Sequence, residues 1–217
     1  MDSLFRQETG SGSIEMIIKN PKWSKPRTVS LKIWSKEQDF TLIKILAPKK
    51  NQGISTLKRK KKMWNYFPKI NRQLKVHSSM MNGSWMGSDF TNDDLVRDAS
   101  YTKDYKHTLV IKDDFYLLTL TPRKNAISLW GKIEMTIRKK SLLPKKYTFY
   151  NEKNKKIRTL SFDKVKKFSG KTLPSLLKMT SHIIQGKETT IAYKNMTFNK
   201  KIDDSFFSFK NLKKENL

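Results

Sequence analysis

SIEMIIK at residues 13–19 and TVSLKIW at residues 28–34 decide the fold class. In the first, Ile14, Met16 and Ile18 alternate with Ser13, Glu15, Ile17 and Lys19. In the second, Val29, Leu31 and Ile33 alternate with Thr28, Ser30 and Lys32. A period of two places each apolar set on one face of a strand, and Asn20-Pro21 between them marks a turn. Successive half-buried strands separated by turn residues form an antiparallel meander.

The same pattern spreads outward. Phe40–Leu46 reads as a strand, and Gly53–Arg59 with Met63–Phe67 as a hairpin tipped by Lys60 and Lys61; Ile70–Val76 follows Pro68. Beyond Tyr101 the candidates are Lys106–Lys112, Phe115–Thr121, Ser128–Ile137, Tyr147–Asn151, Ile157–Val165, Leu173–Ser181, Thr189–Tyr193 and Met196–Asn199. Leu129, Gly131, Ile133, Met135 and Ile137 make the longest clean stripe, and Leu143-Pro144 is expected to end a strand. The period breaks once, over Ser78–Phe90, where methionines and tryptophans crowd beside two glycines. Thr91 then reads as the N-cap of a short helix with Asp93 and Asp94 in its first turn. Asp203, Asp204 and Ser205 are expected to cap a final turn ending near Phe209. With no repeat and no linker, the 217 residues read as one domain over 1–217, a single large antiparallel sheet or barrel.

Composition narrows the function. No run of about 18 apolar residues exists for a membrane helix, and cysteine is absent, which excludes disulfides, thiolate metal sites and cysteine nucleophiles together. His77, His107 and His182 show neither metal-ligand nor nucleophile spacing, so each reads as a solvated or core histidine. Asp93-Asp94 and Asp203-Asp204 fall where helix caps are expected, and Asp113-Asp114 in a hairpin turn, so structure accounts for all three acid pairs. No enzyme, metal or cofactor is expected. The net charge of +27 fits anionic partners (a lipid surface, an acidic protein or nucleic acid), but lysine scattered along the whole chain beside many Asn and Ile reads more readily as compositional drift or general solvation than as a designed patch. The basic run Lys58–Lys62, flanked by Trp64 and Tyr66, is the one nucleic-acid candidate. Without an RNA-binding signature or helix-turn-helix, it reads better as a solvated hairpin tip.

A long curled sheet with little helix to cover it leaves an incompletely filled interior, which is where ligands sit. Alternation alone nominates Ile14, Met16, Leu31, Ile33, Ile43, Ile45, Ile133 and Met135 for its apolar face. Met80, Met81, Trp85 and Met86 are the candidate lid or mouth, since soft side chains tolerate varied guests.

The pieces MWNYFPKINR (63–72), SSMM (78–81), SWMGSDFTNDDL (84–95) and IDDSFFSF (202–209) resemble the outer-membrane lipoprotein-sorting family, relatives of the periplasmic carrier LolA. The resemblance extends from Asp2 to Leu212. It implies an unclosed antiparallel β-barrel with a short helical lid over an apolar cavity. It also implies a non-catalytic periplasmic carrier that takes a lipid or lipoprotein acyl chain from an inner-membrane transporter complex. Family members carry a signal peptide and a first helix ahead of the residues matching Asp2–Arg6, so both are expected to precede this chain.

Overall fold

In the computed structural model, residues 7–96, 101–124, 126, 128–215 and 217 are described. The expected alternation becomes hydrogen-bonded pairing in thirteen strands. These are Thr9–Lys19 (β1), Arg27–Lys36 (β2), Phe40–Ala47 (β3), Ser55–Arg59 (β4), Lys62–Phe67 (β5), Arg72–Lys75 (β6), Tyr105–Ile111 (β7), Phe115–Pro122 (β8), Lys132–Arg138 (β9), Pro144–Tyr150 (β10), Lys156–Phe168 (β11), Lys171–Ser181 (β12) and Glu188–Phe198 (β13). Among the described residues three short α-helices, Asn92–Val96 (α1), Tyr101–Asp104 (α2) and Phe209–Lys213 (α3), and four one-turn 3-10 helices complete the regular structure.

All thirteen strands join one antiparallel sheet in the order β6-β5-β4-β3-β2-β1-β13-β12-β11-β10-β9-β8-β7. The chain meanders from β1 out to one edge at β6. It then passes to the opposite edge at β7 and meanders back until β13 pairs with β1. The sheet is therefore mainly-β and not closed into a barrel: β6 and β7 remain its two edges. Residues 76–96 follow β6 and lie over the inner face, where Val76, Trp85, Met81, Met86 and Leu95 pack with Ile14, Met16, Leu31, Ile43, Ile45 and Met63.

A second apolar cluster fills the inner face of the other half, built on Tyr105, Leu120, Ile133, Met135, Tyr147, Phe149, Phe162 and Leu177. Ile191 and Tyr193 of β13 touch both clusters and join them at the middle of the sheet. The outer face of β2–β5 is covered by the C-terminal residues. Phe207 and Leu212 are fully buried there against Trp34, Leu42 and Leu57, and Phe40 stacks on Phe207 with ring centroids 5.3 Å apart. Double coverage explains why Leu42–Ile45 and Ser55–Lys58 are buried at every position rather than at alternate ones.

Several boundaries move for identifiable reasons. Thr189–Tyr193 and Met196–Asn199 are one strand, because Lys194 is looped out where the β1 register jumps from Ser13–Asn195 to Ile14–Tyr193. Such a bulge reverses the apolar phase, which reads in sequence as a strand break. Pro144 begins β10 instead of ending its predecessor, and β9 begins only at Lys132. β6 shrinks to Arg72–Lys75 because Pro68–Ile70 forms a one-turn 3-10 helix closed by Asn71 in the left-handed region. At the C-terminus Asp203 makes no side-chain cap; Ser208 caps α3 by accepting from the Asn211 N–H at 3.3 Å.

Candidate ligand-binding hollow

The WMGSDFTNDDL segment is held to the sheet by side chains, one after another. The Trp85 indole N–H donates to Thr56 Oγ1 of β4 at 3.2 Å. Arg27 of β2 donates to the Met86 carbonyl and stacks on Trp23 at 4.7 Å. Gly87 has φ +77°, the left-handed region that favours glycine. Asp89 accepts from the Thr189 hydroxyl of β13 at 2.7 Å and pairs with Lys187 at 3.4 Å. Thr91 and Asp94 form a reciprocal cap: the Asp94 N–H donates to Thr91 Oγ1 at 3.1 Å and the Thr91 N–H donates to Asp94 Oδ2 at 2.7 Å. The expected N-cap at Thr91 is thus in place, and Asp94 has a second task.

That task is an ion pair with Arg158 of β11. Arg158 Nη1 donates to Asp94 Oδ2 at 2.7 Å and Nη2 donates to Oδ1 at 2.5 Å, a bidentate fork. The guanidinium carbon lies 4.5 Å from the Trp130 ring and 4.8 Å from the Phe149 ring. Arg158 is only 6% exposed.

Beside this pair lies a cavity of about 190 Å³. Its roof is Phe90, Asp93 and Asp94 of the cover; its floor and walls include Ile133, Tyr147, Phe149, Leu160 and Met179 of β9–β12. A cavity of about 150 Å³ accommodates a benzene-sized guest. The hollow is thus of the size of a small apolar guest, well short of the volume of a long acyl chain.

The nominated residues divide between the two halves. Ile14, Met16, Leu31, Ile43 and Ile45 are buried beneath the cover, with Ile33 half-buried at the margin of the same cluster. Ile133 lines the cavity and Met135 is buried in the cluster around it. Trp85 is the buried anchor of the cover, Met81 and Met86 pack on the cluster below, and Met80 is 57% exposed. Sequence reasoning missed Arg158, Phe90, Asp94, Tyr147 and Phe149. A signal was present: Arg158 is in phase with Leu160 and Phe162, which puts a cation on an apolar face.

The basic run is split: Arg59–Lys62 are exposed at the hairpin tip, but Lys58 and the aromatics beside them turn into the protein. Lys58 is buried and donates to the Gln38 carbonyl at 2.5 Å, while Trp64 packs edge-on to Phe209 at 5.1 Å and Tyr66 is buried. Both flanking aromatics are engaged in packing rather than offered for stacking. Among the described residues no group of three His, Asp or Glu side chains is placed to hold a metal ion, and no helix is long and apolar enough to cross a membrane.

A family profile described as "Uncharacterized protein" matches residues 37–214. The chain belongs to this family. Its structural neighbours are outer-membrane lipoprotein-sorting, LolA-superfamily and DUF1329-family proteins. A Vibrio parahaemolyticus domain assigned to outer-membrane lipoprotein sorting is 24% identical with a TM-score of 0.80, covering 98% of this chain and 95% of that one. A DUF1329 family protein from Desulfovibrio piger is 22% identical with a TM-score of 0.84, covering 97% and 94%. A LolA superfamily protein from Nitrosomonas europaea is 18% identical with a TM-score of 0.78, covering 97% and 94%. At these identities the likeness is one of fold. No curated protein matches the sequence.

Proposed function

We propose that this family member is a non-catalytic periplasmic carrier that shelters an acyl chain and moves it from an inner-membrane transporter complex toward the outer membrane. One observation carries the reading: an oily hollow roofed by a segment that is fastened through side chains rather than through strand pairing. A roof of that kind opens without unzipping the sheet. The Vibrio parahaemolyticus neighbour named for lipoprotein sorting and the LolA-superfamily neighbour share this fold and support the same role.

The energetics set what the hollow must do. At about 0.8 kcal/mol per CH₂, an acyl chain of about sixteen carbons costs on the order of 12 kcal/mol to leave in water. A carrier covers most of that surface and still releases it, so contacts with Met and aromatic side chains suit the task better than fixed hydrogen bonds. The net charge of +27 draws the protein to anionic head groups, each near-surface Lys or Arg contributing about 1 kcal/mol.

Displacement of a polarity-sensitive fluorophore by acyl ligands tests the reading, together with native mass spectrometry for lipid that leaves the cell with the protein. Ile133→Glu puts a carboxylate in the cavity wall and is expected to abolish displacement in a protein that still folds. A folded wild-type chain that binds no acyl ligand refutes the carrier.

A further inference from the structure

We infer that Arg158 is the receptor for an anionic head group, and that the cargo is a single-chain amphiphile ending in a carboxylate or a similar oxyanion. The inference rests on the carrier reading and names its ligand class. Arg158 shares the inner face with Leu160 and Phe162, is 6% exposed and forms part of the cavity wall. Taking a guanidinium out of water is costly, and an apolar residue of equal volume serves stability as well or better. The charge therefore does something that packing alone does not.

Its surroundings describe a built anion site. Trp130 and Phe149, at 4.5 and 4.8 Å, hold the guanidinium in place and leave its fork aimed at two oxygens. Those oxygens now belong to Asp94, with the Asp89 carbonyl accepting from Nη1 at 3.2 Å. Nε is buried without a hydrogen-bond partner. Asp94 thus occupies the place of a ligand carboxylate. It stands on the five-residue α1, its side chain is 23% exposed, and Oδ2 also accepts from the Thr91 N–H at 2.7 Å, a bond independent of Arg158. A carboxylate at the end of an acyl chain fits the same fork with the chain lying along Ile133, Phe149 and Met179. Its seating displaces Asp94, so binding of the head and release of the roof are one exchange.

The test compares dodecanoate with dodecanol as displacers of an uncharged fluorophore, using the whole chain. The wild type is expected to prefer dodecanoate by about tenfold, the scale of one bidentate charged contact. Arg158→Gln should lose about tenfold of that preference, keeping only what the general charge supplies, and Asp94→Asn, which removes the internal competitor, should widen the preference. Removing one charge from +27 leaves the general attraction for anions nearly unchanged, so the difference between wild type and variant isolates the site. Equal affinities in the wild type, or a preference of the same size in Arg158→Gln, overturn the inference while leaving the carrier standing. Should Arg158→Gln fail to fold by circular dichroism, an unwidened ratio in Asp94→Asn overturns it instead. Failure of both ligands to displace the probe refutes the carrier, not the choice of head group.

Discussion

Trp85→Ala should free the cover while leaving the sheet intact. The indole is 5% exposed and packs among Met16, Ile43, Met63 and Val76. A tryptophan buries about 200 Å², which at about 25 cal/mol per Å² corresponds to about 5 kcal/mol. The 3.2 Å bond to Thr56 adds about 1 kcal/mol. Thr56 keeps Asn65 Oδ1 at 2.7 Å, so no donor is orphaned. After relaxation a net loss of about 4 kcal/mol is reasonable. The strands retain their pairing, so the loss falls on the docking of residues 76–96, a shift of roughly 700-fold in the opening equilibrium. Native-state hydrogen exchange reads it directly. The Asn92 amide, bonded to the Gly83 carbonyl at 3.0 Å, and the Asp93 amide, bonded to the Met81 carbonyl at 2.8 Å, should exchange several hundred-fold faster. Amides of β1, β2 and β13 should change by less than about tenfold on the same reasoning. Equal acceleration across cover and sheet would make Trp85 an ordinary member of one global core and refute a separately opening roof.

Other consequences can be checked independently. Asp94→Ala removes the Asp94 half of the α1 cap and strands the Arg158 cation, and urea unfolding should show a loss of about 3 kcal/mol, part of which Arg158→Leu recovers in the double variant. Gly12→Ala should unsettle the β1–β13 seam, since a Cβ there would lie 2.1 Å from the Asn195 carbonyl oxygen; a fall in thermal midpoint of several degrees is expected, and an unchanged midpoint counts against the register. Burial of Tyr150 and its bond to Glu134 at 2.7 Å push the phenol up to about 12, so its contribution to stability is complete below the ordinary tyrosine value and is lost as pH rises through about 12. Phenolate absorbance should show a late-titrating component that is lost in Tyr150→Phe. For Glu134, burial raises the pKa, but Tyr150 and Lys132 outweigh it and hold the carboxyl below its usual value. That contribution is present above the ordinary carboxylate pKa and disappears as acid titrates through the depressed one, a loss that a Glu134→Gln variant should lack in acid unfolding.

Alternation made most strands legible because each buries one face against a common interior. It failed where that condition failed. At β3 and β4 both faces are covered, so Lys44 and Lys58 are buried among apolar neighbours although their charges read as solvent-facing. At Lys194 a bulge shifts the phase, and one strand looked like two. The cover announced itself by its loss of period and its Met and Trp content. Its attachments did not, because Thr56, Arg158 and Thr189 lie 29, 64 and 100 residues from their partners. The cavity lies against Ile133 rather than Ile14 because the cover fills one half of the inner face and roofs the other, a choice that depends on side-chain volumes across the fold rather than on any local pattern.

The C-terminal residues seal the outer face of only β2–β5. That half is a stiff slab, three layers thick, whose strands cannot shift without disturbing Phe207 and Leu212. Among the described residues the half bearing the cavity is backed less: Lys106–Ile111 of β7 are all exposed and β9 buries only alternate residues, although Tyr147–Phe149 of β10 and Leu173–Ser175 of β12 are buried in succession. The molecule thus has one fixed jaw and one compliant jaw. For the proposed carrier, this asymmetry assigns any adjustment to guests of different girth to the thin side, with the thick side as the frame against which it would bend.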